Sequence, residues 1–135
     1  MLTAQELQSL AEFESQDSTV FSLYLNVDST QRTKDEYRLS LRNLLRQIAD
    51  KRVAKDVQAV ERYLDLEYDG TARGLIFFSC QDQGGLWKAL PISVPVLDRA
   101  VVARRPYVTP IQDVLDRYGR YAVVLVEREG ARLFL

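Results

Sequence analysis

Lys34, Arg38, Arg42 and Arg46 recur at every fourth position, so a helix through them carries positive charge along one side. Lys51, Arg52 and Lys55 continue the series just beyond. Residues 34–55 hold seven basic groups against three acidic ones (Asp35, Glu36, Asp50), a local charge of +4 in a chain of net charge −1. Such a row neutralises phosphates and binds a nucleic-acid backbone largely without reading its sequence. The competing reading is a solvated helix face. A second group, Arg99, Arg104 and Arg105 near Tyr107, offers charge and stacking together, which is how RNA is clamped, or an ordinary exposed edge.

Bond-breaking chemistry finds little to work with. The sequence has no histidine, so a Ser-His-Asp or Cys-His nucleophile cannot be assembled from it, and zinc and haem lose their commonest ligand. Lys, Asp, Glu and Tyr remain as acid–base groups. Asp65-Leu66-Glu67-Tyr68-Asp69-Gly70 copies the opening of a calcium loop, but the twelfth position is Ile76, where a bidentate glutamate belongs. An acidic helix end followed by a turn explains it better. The single Cys80 permits no internal disulfide and reads as a small buried hydrophobe, as suits a reducing cytoplasm. Trp87 and the tyrosines read as packing residues. No catalytic residue, metal, cofactor or small-molecule substrate is expected in these 135 residues.

The elements that must position these groups are well marked. Thr3 with Glu6, Thr33 with Glu36 and Thr109 with Gln112 each have the spacing of a capping box, and Pro110 suits a first helical position. Helices are expected over Ala4–Glu14 (burying Leu7, Leu10 and Phe13), through Tyr37, Leu41, Leu44, Leu45 and Ile48, through Val57, Val60, Tyr63 and Leu64, and from Pro110 to Tyr118. The second and third are separated only by the polar break Asp50-Lys51-Arg52, so they form a hairpin with both apolar faces turned the same way. Val20–Val27 and Gly74–Cys80 read as strands, the latter central and buried on both faces. Leu86–Leu90 starts a return strand, Pro91 and Pro95 force an edge or irregular path, and Arg99–Val108 is extended. Tyr121–Val126, a turn at Glu129-Gly130 and Ala131–Leu135 form a last hairpin. The expected fold is α/β (α+β): a central mixed β-sheet packed by helices, with an α-helical hairpin and a C-terminal β-hairpin. Its N-terminus is acidic and lacks an apolar leader, and no apolar run approaches the roughly 18 residues of a membrane span, so a cytoplasmic protein is expected.

The segment order then becomes informative. SLYLNVD, the helix hairpin, GLIFFS, the tract WKALPISVPVLDRAVVARRPYVTPIQDVLDRYGRY and the closing AVVLVEREGARLF resemble the N-terminal part of the archaeal/eukaryotic-type peptide chain release factor superfamily. Within it, the bacterial, Pelota-related branch is the most similar. The resemblance implies a first domain, residues 1–119, that docks on the ribosome and its RNA, and a second domain of which residues 120–135 would be the first β-hairpin. It also implies peptidyl-tRNA hydrolysis by a Gly-Gly-Gln loop, which this sequence lacks; Gln83-Gly84-Gly85 has the reverse order. The Asn-Ile-Lys-Ser stop-codon reader is absent too, with Asp50-Lys51-Arg52-Val53-Ala54-Lys55 in its place. The expectation is therefore a non-catalytic, RNA-binding front module. Two alternatives are part of a peptidyl-tRNA hydrolase whose catalytic domain lies elsewhere, and an interaction domain that dimerises through the C-terminal hairpin.

Overall fold

The computed structural model describes Gln8, residues 19–80 and residues 86–118, with the backbone alone for 114–118. Apart from Gln8, the expected helix at Ala4–Glu14 lies outside the described residues, as do the loop Gln81–Gly85, the boundary at Gly119 and the closing hairpin.

Two strands make the centre. β1 (Val20–Asn26) and β2 (Gly74–Cys80) are rich in aromatic and branched side chains, and each buries residues on both faces. Successive side chains in a strand point to opposite faces. Phe21, Leu23 and Leu25 of β1 therefore join Leu75 and Phe77 of β2 on one face, while Tyr24 joins Ile76 and Phe78 on the other. β3 (Leu86–Ile92) and β4 (Arg99–Ala103) flank them in the order β3-β2-β1-β4. Pro91 falls in β3, an outer strand of the described sheet, where a missing amide is tolerated.

The fold is α+β, as expected, but the described sheet is antiparallel rather than mixed, in all three of its pairings. The reason lies in the connection between β1 and β2. It contains α1 (Lys34–Ile48) and α2 (Ala54–Leu66), and a pair of antiparallel helices returns the chain to the end it left. A single crossover helix would have made a parallel pair.

Both helices of this hairpin lie on the first face. Tyr37 and Leu41 of α1, Val60 and Leu64 of α2, and Val53 between them are buried against the sheet. α1 opens with the expected capping box: the Glu36 amide donates to Thr33 Oγ1 at 3.2 Å, and the Thr33 amide donates to the Glu36 carboxylate at 2.8 Å. It ends at Ala49, which adopts φ 45°, ψ 40°, a left-handed conformation that glycine takes without steric cost. A 3₁₀ turn, Lys51–Val53, then leads into α2, with the Asp50 carboxylate accepting the Arg52 amide. Ala49→Gly is expected to raise unfolding free energy by about 0.5–1 kcal/mol in denaturant melts. A destabilised variant would show that the tip holds its shape by other contacts.

The second face is covered by the chain itself. After β3 the segment 93–98 crosses beneath the sheet to β4, burying Val94 and Val96, and α3 (Thr109–Tyr118) adds Ile111. The crossing is tight: a Cβ on Gly74 would lie 2.6 Å from the Val94 carbonyl oxygen. α3 begins at its expected cap, one residue before the expected first helical position. The Val108 carbonyl accepts the Gln112 amide, so Thr109 is already helical and Pro110 occupies the second position of the first turn.

Candidate nucleic-acid interface

The antiparallel register decides which charged groups meet. Val20 pairs with Ala103, Phe21 with Ser79 and Cys80 with Leu86, so these residues share one end of the sheet. The Ser79 hydroxyl donates to the Asp56 carboxylate at 2.5 Å, which fixes the start of α2 at the same end. The tip of the helical hairpin and the residues after β4 thereby lie at the same end of the sheet. Arg42, Arg46, Lys51, Arg52 and Lys55 from the hairpin, with Arg104 and Arg105 after β4, form one basic end, and all seven are exposed.

These cations differ in freedom. Arg42, Arg46, Lys51 and Arg104 form no ion pair with any described residue. Arg52 is bound to Asp50 through Nη2 at 2.7 Å, and that hydrogen bond holds the Asp50 carboxyl below its usual range. Lys55 and Arg105 each have an interaction of their own. About 6 Å of helical rise separates Arg42 from Arg46, close to the spacing of neighbouring phosphates along one strand.

The opposite end has a different character. Asn26, Gly74 and Ile92 lie there, together with the start of α1 and the end of α2. Three of its arginines are neutralised. Arg32 binds Asp98 at 2.8 Å, Arg73 binds Asp28 at 2.9 Å and Arg38 binds Asp65 at 2.8 Å. Arg38 thus leaves the expected row: its guanidinium is half-buried against α2, and Nε has no hydrogen-bond partner among the described residues. Lys34 is exposed but stands at this end, beside Asp35 and Glu36. The row expected along all of α1 is therefore basic at the tip and balanced at the base.

The second expected cluster divides in the same way. Arg99 lies over the Tyr107 ring, 4.9 Å from its centroid, at the balanced end. Arg104 and Arg105 follow the far end of β4 and join the hairpin tip. Tyr107 itself is anchored by its backbone: its amide donates to Ser22 Oγ at 2.9 Å, and its carbonyl accepts the Tyr24 hydroxyl. Sequence spacing carried no sign of this division, because strand register alone separates residue 99 from residue 104.

Asp28 organises the balanced end. It is 1% exposed and accepts the Thr30 amide at 3.0 Å, the Thr30 hydroxyl at 2.8 Å and Arg73 Nε at 2.9 Å. The Thr30 backbone hydrogen bond first, then its hydroxyl and Arg73, hold the carboxyl below its ordinary value of 3.8. A lowered folded pKa means this stabilisation is present above about pH 4 and is lost as pH falls through the depressed value. Asp28→Asn is expected to lower the melting temperature at pH 7 and to flatten its decline below pH 4. Parallel wild-type and variant acid melts would contradict the assignment.

Several reactive groups among the described residues are closed off. Ser79 and Asp56 are 0% and 3% exposed, and Cys80 is 1% exposed. Burial raises the Tyr24 hydroxyl far above its usual pKa. Asp65 is turned to Arg38 and Asp69 accepts from Thr71, so two of the three carboxylates of the calcium-loop likeness are engaged elsewhere. Among the described residues no group of three metal-ligating side chains converges, and no helix is long and apolar enough to cross a membrane. What the exposed basic end can do is neutralise phosphates. No family model matches the chain, and a search of curated proteins finds no match.

Proposed function

We propose that this chain is the RNA-docking module of a release-factor-like translation protein, and that it engages the ribosome through its basic end. The observation that carries the reading is the contrast between the two ends. At the base of the hairpin three arginines are each held by a carboxylate, whereas Arg42, Arg46, Lys51 and Arg104 at the tip are exposed without one among the described residues. Unneutralised cations on a rigid hairpin release counterions when they meet phosphates, and that gain is independent of base sequence. The segment order from SLYLNVD to DRYGRY supports the same reading by its resemblance to that superfamily.

The role proposed is docking. The tip holds Asp50-Lys51-Arg52 on a short 3₁₀ turn where stop-codon readers carry their Asn-Ile-Lys-Ser motif, so it is proposed to bind stop and sense codons alike. Ribosome pelleting and filter binding to a ribosomal RNA hairpin at increasing salt test the proposal. Affinity should fall steeply and linearly on a log–log plot. Absence of binding at low salt, or binding insensitive to salt, would overturn it.

A further inference from the structure

We infer that the cleft between segment 95–99 and the start of α3 is a peptide-docking site, taking an apolar side chain next to a carboxylate from a partner protein. The cleft is about 360 Å³ and is walled by Pro95, Val96, Leu97, Tyr107 and Pro110. That is the small end of the roughly 300–1,000 Å³ of ligand pockets, enough for one or two side chains and too little for a dinucleotide. Leu97 at its rim is 90% exposed, more than any other large hydrophobic residue described, and so leaves apolar surface uncovered.

The charges choose the occupant. Arg99 is exposed, is oriented by the Tyr107 ring and has no carboxylate partner among the described residues. Asp98 is turned elsewhere: one carboxylate oxygen accepts the Asn26 amide and the other is held by Arg32. One guanidinium at the mouth of an apolar cleft suits a single carboxylate, which it binds in a planar fork. Asp113, exposed in the first turns of α3, opposes a second negative charge and can accept an amide of the bound peptide. A phosphate strand brings repeated charges to an end where Asp35, Glu67 and Asp113 are also exposed, so RNA is disfavoured here. This inference does not depend on the RNA reading of the opposite end.

The test is amide-resolved NMR titration of the whole chain with a blocked hexapeptide, acetyl-Gly-Gly-Leu-Asp-Gly-Gly-amide, at millimolar concentration. Shifts should be confined to Leu97, Arg99, Tyr107 and Asp113. Replacing the peptide's Asp by Asn, or Arg99→Gln in the protein, should weaken binding about fivefold. Leu97→Ser, at an exposed position that leaves the fold intact, should weaken it similarly. Equal binding of the Asn peptide, an unaffected Arg99→Gln variant, or shifts at Arg99 and Tyr107 with an RNA hairpin but not with the peptide would each overturn the inference.

Discussion

Reversing two charges, Arg42→Glu with Arg46→Glu, is expected to weaken RNA binding by about 30- to 100-fold near physiological salt. Each phosphate contact contributes a slope of about −0.9 to the log–log salt dependence, which at that salt is a factor of about five in affinity. Losing two contacts gives about 25-fold, and the repulsion of two introduced carboxylates adds to it. The salt slope should also become shallower by about two. Both side chains are exposed and unpaired among the described residues, so the melting temperature should barely change. Unchanged affinity would return Arg42 and Arg46 to the status of a solvated face.

The second large effect concerns what holds the hairpin on the sheet. Phe77 is 0% exposed, packs edge-on against Tyr63 of α2 at 5.4 Å between ring centroids, and meets Trp87 of β3 at 6.0 Å. It therefore joins a helix to two strands. Phe77→Ala is expected to cost about 3–5 kcal/mol, a transfer term plus a cavity that three elements cannot close together. That is a large share of the roughly 5–15 kcal/mol by which a domain is stable. Urea denaturation should show the midpoint falling with an unchanged slope. A loss below about 1 kcal/mol would mean that the helical hairpin and the sheet are not one cooperative core.

Local signals were legible in the sequence wherever local physics decides. The Thr33–Glu36 box, the apolar spacing of Tyr37 and Leu41, and the doubly buried GLIFFSC strand are set by residues a few positions apart, and the structure has all three. The four-residue spacing of the basic row was equally plain. Its partial neutralisation was not, because Asp65 reaches Arg38 only once α2 folds back across 27 residues of chain. Arg104 and Arg105 joined the hairpin tip through strand register, which composition does not encode. The sheet's polarity was implicit: two helices between β1 and β2 require antiparallel strands, and the helical hairpin was itself expected. The cleft beside Arg99 drew no notice in the sequence, since Leu97, Tyr107 and Pro110 come together only when the chain passes under the sheet and returns.

The central claim is that binding resides at one end of the molecule rather than in its overall charge. Two variants with the same change in net charge separate these: Arg42→Glu with Arg46→Glu at the tip, and Lys34→Glu with Arg99→Glu at the opposite end. Filter binding of both to one ribosomal RNA hairpin at a single low salt concentration is the most direct measurement. The tip variant should lose at least about tenfold more affinity than the other, which should stay within about threefold of wild type. Equal losses in the two variants would contradict the account, since only a nonspecific dependence on net charge would produce them.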